Sequence, residues 1–90
     1  MQYCWICNSY ITDGEESKDH VDPKVKGEYR APGFFWAHKS CNNARSNLPI
    51  YLVEKIQRKL DIKYSDWTPA QIQEEMRKEL SKRDKLANLI

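Results

Sequence analysis

Hydrophobic positions change their spacing halfway along the chain. In the first half, apolar and aromatic side chains occur in short runs bounded by turn-forming residues. A short segment at 18–22 stops at Pro23, and an aromatic segment covers 34–37. We predict that these two segments are the strands of a hairpin with a long connection over 24–33.

The second half carries apolar residues at helical spacing. Pro49 divides it, because proline has no N–H to donate and disfavours helical geometry at the residue before it. We therefore predict a short helix near 40–46 and a longer helix near 49–60. The apolar face of the longer helix consists of Leu52, Val53, Ile56 and Leu60.

Residues 68–71, Thr-Pro-Ala-Gln, are typical of a helix start. Thr68 suits the N-cap, proline suits the first helical position, and the side chain of Gln71 can bond back to the cap. We predict that this last helix runs to about Asn88 and packs on the helix near 49–60. Its apolar stripe consists of Ile72, Met76, Leu80 and Ala87.

Composition adds little to this α+β pattern. The chain has 90 residues, which indicates one domain, and its formal net charge of +2 permits nucleic-acid binding without requiring it. No apolar run approaches the roughly 20 residues of a membrane span, and no secretory signal is visible. We therefore expect a cytoplasmic protein without a membrane partner. A domain of this size is marginally stable unless a staple reinforces it.

Three cysteines and one histidine are spaced as metal ligands. Two residues separate Cys4 from Cys7 and also His38 from Cys41, and 30 residues lie between the two pairs. Three thiols cannot all form intramolecular disulfides, whereas three thiolates and one imidazole complete a tetrahedral zinc site. We predict that these four residues bind one structural zinc ion. The alternative is three unrelated buried thiols and a surface histidine.

A second set of polar residues suits phosphodiester chemistry. His20 can take a proton from water near neutral pH, and Asp19 beside it offers a hard oxygen ligand for Mg²⁺. Asn42 can add an amide oxygen to such a site, and Arg45 lies on the same helical face, where it can contact a phosphate oxygen. Each has an ordinary alternative: surface polar residues for Asp19 and His20, a helix cap or a polar first-turn residue for Asn42, and a solvated cation for Arg45.

Two motifs place these residues in order. Residues 19–27 read Asp-His-Val-Asp-Pro-Lys-Val-Lys-Gly, and residues 38–45 read His-Lys-Ser-Cys-Asn-Asn-Ala-Arg. With the Cys-x-x-Cys at 4–7, they resemble the HNH endonuclease family, the zinc-knuckle branch of the ββα-metal nucleases. That family's first motif is Asp-His, Ile or Val, any residue, Pro, three residues and Gly. Its last motif is Cys-x-x-Cys, His or Asn, two residues, then Lys or Arg, and here His38 replaces the first Cys.

The resemblance implies a small ββα-metal core, or His-Me finger, over 1–47, stapled by one structural zinc, with a helical extension over 48–90 packed on it. His20 would be the general base that activates water. Asp19 and Asn42 would bind one catalytic Mg²⁺ or Mn²⁺ ion, and Arg45 would contact a phosphate. At one position the chain departs from the family pattern: Gly33 stands where the family usually carries an Asn that orients the base.

The activity implied by the resemblance is a metal-dependent endonuclease that nicks double-stranded DNA with low sequence specificity. By family analogy, such a chain suits a phage or mobile element in a bacterial cell. Two other classes of function stay open. One is a non-catalytic zinc module that binds nucleic acid through basic residues, namely Lys24, Lys26, Arg30, Lys39 and Arg45. The other is a protein-interaction module whose last helix docks on a protein partner.

Overall fold

The computed structural model describes residues 2–19 and 34–88 of the chain. Two strands are followed by three helices, which makes this a small α+β protein. The elements are β1 (Glu16–Asp19), β2 (Phe35–His38), α1 (Lys39–Arg45), α2 (Ile50–Lys63) and α3 (Pro69–Asn88). The predicted connection over 24–33 lies outside the described residues. In the two described ranges, no helix combines the length and the apolar character that crossing a membrane requires.

The two strands form the predicted antiparallel pair. Glu16 lies opposite His38, and Asp19 lies opposite Phe35 at the other end of the ladder. Successive side chains of a strand point to opposite faces of the sheet, so Ser17 and Asp19 share one face. That face lies against α1, which contacts both strands.

The first strand begins two residues before the predicted segment 18–22, whose last three residues lie outside the described part of the chain. Gly14 has a φ of 84°, a left-handed conformation that glycine adopts without steric cost, and the resulting turn directs the chain into β1. The carbonyl of Glu15 then accepts a hydrogen bond of 2.9 Å from the backbone N–H of Lys39. Cross-strand bonding therefore starts earlier than the polar sequence of β1 suggests.

The N-terminal segment forms a tight reversal. Tyr3 and Tyr10 pair in an isolated antiparallel bridge, and the chain turns between them. The N–H of Asn8 donates to the carbonyl of Cys4 at 2.8 Å, and Asn8 has a φ of 63°. Asparagine adopts this left-handed conformation more readily than most residues. The N–H of Trp5 donates to a β2 carbonyl at 3.0 Å, so the reversal is attached to the sheet.

Proline and capping residues set the helix starts as predicted, whereas α2 ends at Lys63, three residues beyond its predicted end. Pro49 precedes α2, and its carbonyl accepts a hydrogen bond of 3.1 Å from the N–H of Leu52. At the start of α3, the N–H of Thr68 donates to Gln71 Oε1 at 2.6 Å. The N–H of Gln71 donates back to Thr68 Oγ1 at 3.3 Å. This reciprocal pair satisfies two donors that the first turn of a helix otherwise leaves unpaired.

Buried apolar side chains of the described residues form one continuous cluster, to which the N-terminal reversal, β2 and all three helices contribute. Ile72 and Met76 of α3 are fully buried, and Leu80 is half-buried at the edge. Three of the four residues of the predicted stripe, Ile72, Met76 and Leu80, therefore pack against the core, and the side chain of Ala87 lies outside the described part of the chain. The described part of this stripe is covered by α1 as well as by α2, because α3 contacts both helices.

Candidate metal centre and the adjoining ion pair

Four ligand atoms converge where the N-terminal reversal meets β2 and α1. Cys4, Cys7, His38 and Cys41 each offer one ligand atom, and these atoms all lie within 4.8 Å of one another. We call this group the metal cluster. The three cysteines are buried and free of disulfides. The convergence predicted from the two spaced pairs is confirmed, and the ligand set is consistent with a structural zinc ion.

Local structure explains how each pair is held. The turn between Cys4 and Asn8 places two cysteines on one tight loop. His38 ends β2 and is the N-cap of α1, and Cys41 lies in the first turn of that helix. Residues three apart at a helix start share a side, so the second pair also faces one point.

Distances within the metal cluster fit tetrahedral zinc. Zn–S bonds of about 2.3 Å and Zn–N bonds of about 2.05 Å at a tetrahedral angle separate sulfur from nitrogen by about 3.6 Å. Nδ1 of His38 lies 3.3 Å from Cys7 Sγ and 3.9 Å from Cys41 Sγ, on either side of that value. Nε2 of the same ring lies 3.0 Å from the carbonyl oxygen of Tyr10. A carbonyl oxygen can only accept a hydrogen bond, so Nε2 must carry the proton of the ring. Nδ1 is then the ligand atom, and this arrangement is usual for metal-bound histidine.

The thiols of the metal cluster depend on one another for their charge. Hydrogen bonds from the thiols of Cys41 and Cys7 lower the pKa of Cys4. The same interactions with Cys4, reinforced by burial, raise the pKa of both Cys7 and Cys41. The three thiols by themselves thus favour a single negative charge. A divalent cation changes this balance, because it binds thiolates and displaces their protons.

Two N–H groups also point at the sulfur atoms. The backbone N–H of His38 donates to Cys4 Sγ at 3.4 Å. The side-chain amide of Gln73, on α3, donates to Cys41 Sγ at 3.3 Å. Zinc bound by three thiolates and a neutral imidazole carries a net charge of −1, so such donors stabilise the site.

Beside the metal cluster, Asp19 and Arg45 form a buried ion pair. Arg45 Nη2 donates to Asp19 Oδ1 at 2.6 Å, and Arg45 Nε donates to Asp19 Oδ2 at 2.8 Å. The indole N–H of Trp5 donates to the same Oδ2 at 3.0 Å. Asp19 is 1% exposed and Arg45 is 8% exposed. The solvated alternative for Arg45 is therefore wrong, because its charge is matched by a carboxylate 26 residues away.

The described structure assembles three of the four residues assigned to catalysis. Asn42 and Arg45 lie on one face of α1, and that face meets β1. Asn42 Nδ2 donates to Ser17 Oγ at 3.0 Å, so Asn42 holds β1 two residues before Asp19. Asn42 is not a helix cap, because His38 is the N-cap of α1 and Ser46 is its C-cap, but it is a polar residue of the first turn, which was the other ordinary alternative. His20 lies outside the described residues, as do Gly33, Lys24, Lys26 and Arg30.

Sequence reasoning missed two glutamines that contact the metal cluster region. Gln57 Nε2, on α2, lies 2.8 Å from each of the carbonyl oxygens of Trp5 and Ile6, inside the first Cys-x-x-Cys. Gln73 reaches the second pair from α3. Both glutamines lie next to buried positions of their helices, Ile56 and Ile72, which is the only sequence signal that they face inward.

Comparison of the chain with protein-family models, with curated protein sequences and with solved structures found no match.

Proposed function

We propose that this protein is a zinc-stapled, metal-dependent endonuclease of the HNH type that nicks double-stranded DNA. The observation that carries the proposal is the contact between β1 and α1. It brings Asp19, the residue before His20, against the helix face that carries Asn42 and Arg45. The metal cluster lies at the start of the same helix. A two-strand sheet, a helix and four zinc ligands are the parts of a ββα-metal core.

Each residue of the proposed site has a distinct role. His20 would take the proton of the attacking water, a contribution of about 10²–10⁴-fold. Asp19 and Asn42 would hold a Mg²⁺ or Mn²⁺ ion, which stabilises negative charge on phosphate oxygens when bound. Arg45 would hold the Asp19 carboxylate in place and supply positive charge near the phosphate. A site with one such cation acts on one strand at a time, so nicking is the expected outcome.

The ligand capacity of Asp19 limits how a cation can bind there. A carboxylate offers about four lone-pair positions, and three of these accept hydrogen bonds from Arg45 and Trp5. One position remains, on Oδ1. Asp19 can therefore bind a cation through one oxygen without loss of the ion pair, provided that neighbouring atoms uncover a carboxylate that is 1% exposed.

A second function is supported by the same ion pair. Asp19 and Arg45 neutralise each other, and Arg45 Nη1 also donates to the carbonyl of Leu48 at 2.5 Å. These contacts are what a purely structural pair would make. They favour a non-catalytic zinc module that binds nucleic acid through other cations, among them the exposed Lys39. Docking of a protein partner on α3 stays a third hypothesis.

Nicking of supercoiled plasmid tests the proposal. The purified protein should convert supercoiled DNA to the open circle with Mg²⁺ or Mn²⁺, and excess chelator should stop the reaction. His20→Ala should abolish nicking but retain zinc content and DNA binding, because the metal cluster already supplies four ligands for zinc. Gly33→Asn should raise the rate if an orienting side chain limits the base.

Two outcomes would contradict the nuclease. Equal nicking by wild type and His20→Ala would exclude His20 as the base and indicate a contaminating enzyme. Absence of nicking by both, together with DNA binding that weakens steeply with salt, would favour the non-catalytic zinc module, because phosphate contacts alone give that dependence.

A further inference from the structure

The two helices of the 48–90 segment each send one glutamine amide to the metal cluster region. Gln57 of α2 reaches the backbone of the first ligand pair, at 2.8 Å from the carbonyl oxygens of Trp5 and Ile6. Gln73 of α3 reaches the second pair, where it donates to Cys41 Sγ at 3.3 Å. Because these contacts link sequence positions 32 to 52 residues apart, they follow from the packing of the helices on the first half of the chain.

The contact of Gln73 has a specific electrostatic consequence. A zinc ion with three thiolates and one neutral imidazole leaves one net negative charge in a buried region, and burial of charge is costly unless donors face it. An amide N–H directed at a metal-bound sulfur withdraws negative charge from it. The sulfur is then less nucleophilic and reacts more slowly with electrophiles.

A second contact fixes the direction of that amide. Gln73 Nε2 also donates to Ser40 Oγ at 3.0 Å, so its two N–H groups have two separate acceptors on α1. The Gln73 side chain is half-buried, and it lies one position after the fully buried Ile72. The backbone of α3 is thus anchored where Gln73 points toward Cys41.

We propose that Gln73 is a positioning residue of the metal centre, through which α3 slows the loss of zinc and the reaction of the Cys41 thiolate. The proposal rests on the zinc part of the proposed function and is independent of nuclease activity. Gln57 supports the first ligand pair through its backbone, whereas Gln73 acts on a ligand atom itself. The helical extension over 48–90 then contributes, through Gln73, to how long the site retains zinc.

Zinc transfer to a chromogenic chelator measures this role directly. Gln73→Met keeps the length and the apolar stem but has no N–H, and Gln73→Glu keeps the shape but places a carboxylate near the negative cluster. Removing an outer contact of a metal ligand typically weakens metal binding about 10–100-fold. Zinc release should therefore be about tenfold faster in Gln73→Met and faster still in Gln73→Glu. Glu74→Gln is the matched control, because Glu74 lies beside Gln73 on α3 and its carboxylate pairs with Lys78 in an exposed ion pair, and its release rate should stay within about twofold of wild type.

Alkylation and cobalt spectra separate an electrostatic role from simple packing. N-ethylmaleimide should modify Cys41 faster in zinc-loaded Gln73→Met than in wild type. In Co²⁺-loaded protein, the sulfur-to-cobalt charge-transfer band should shift in both Gln73 variants and not in Glu74→Gln. If Gln73 only packed against α1, zinc release need not be faster in Gln73→Glu than in Gln73→Met, and the charge-transfer band would not shift in either variant.

The other possible results distinguish failure of the Gln73 proposal from failure of the zinc site or of the nuclease. Equal release rates in wild type and both Gln73 variants, with unchanged circular dichroism, would overturn the proposal, as would failure of both variants to fold with excess zinc, which would make Gln73 a folding element only. Wild type without zinc in elemental analysis would overturn both this proposal and the zinc site. Wild type that holds zinc and shows the Gln73 effects but does not nick DNA would leave this proposal standing and remove the nuclease.

Discussion

The metal cluster and the Asp19–Arg45 pair are two polar groups on the same short helix. They differ in whether their own side chains balance their charge and satisfy their hydrogen bonds. Cys41 and Arg45 lie one turn apart on α1. The pair is complete by itself, since one positive and one negative side chain share two hydrogen bonds and each has a further partner. The metal cluster is not, because the interaction with Cys4 and burial raise the pKa of Cys7 and Cys41, and a divalent cation would offset this by displacing their protons.

This difference explains how strongly each group indicates a bound ion. Three thiols and an imidazole within 4.8 Å of one another match the ligand set and the size of a structural zinc site. A buried aspartate with an arginine already has its counter-charge, and its geometry is satisfied with no cation. The described chemistry is therefore consistent with a structural zinc ion, while the catalytic cation is proposed from the motif around Asp19. The predictions below test that contrast.

The largest effect is expected from loss of a zinc ligand. Cys41→Ala should abolish zinc binding and unfold the N-terminal half, because structural zinc contributes about 10–16 kcal/mol, which is comparable to the whole stability of a small domain. Elemental analysis and circular dichroism measure the two losses, and the exposed Ser40→Ala is the control. A melting curve unchanged by strong chelation would mean that the fold does not depend on the metal cluster.

Breaking the ion pair should have the next largest effect. Asp19→Ala leaves the buried guanidinium of Arg45 without its counter-charge, which should lower the free energy of unfolding by about 3–5 kcal/mol. Urea denaturation of zinc-loaded protein measures the loss. The double variant Asp19→Leu with Arg45→Met should recover most of it, because it removes both charges together. A cost near zero for Asp19→Ala would show that the pair opens readily, and Asp19 would then be accessible to a cation.

Removing the third donor to Asp19 should cost less. Trp5→Phe keeps an aromatic ring but loses the N–H that donates to Asp19 Oδ2, a hydrogen bond to a charged group worth about 1.5–3 kcal/mol. Because Trp5 is half-buried, we expect a loss near the lower end of that range in urea denaturation. Trp67→Phe is the control, since its indole donates to Asp61 in an exposed hydrogen bond. Equal effects of the two changes would mean that the Asp19 contact adds nothing specific.

The smallest effect is expected at Ser17. Ser17→Ala removes the acceptor of the Asn42 amide and should cost about 1 kcal/mol, the usual net value of a neutral hydrogen bond. If Asn42 binds a catalytic cation, its release from Ser17 should change the Mg²⁺ concentration that gives half-maximal nicking. An unchanged metal dependence, measured beside Asn42→Ala, would indicate that Asn42 only joins α1 to β1.

Local signals in the sequence predicted much of the fold and one of these two groups. Pro49 and the Thr68–Gln71 pair marked helix starts, because their effects act within one turn. The zinc ligands were recognisable because each pair sits on one tight piece of chain. The ion pair and the glutamine contacts were not, because they join residues 26 to 52 positions apart. Which polar side chain meets which across such a distance depends on how whole helices pack.

The last rung of the strand ladder is also the inner of two closures in the first half of the chain. Asp19 is opposite Phe35, so this rung closes the segment 20–34, and the metal cluster closes a wider loop outside it. Because the two closures are nested, a change confined to the rung would lengthen the loop that the metal cluster closes without opening it. The covalent path between the two described ranges would then be held by the metal cluster.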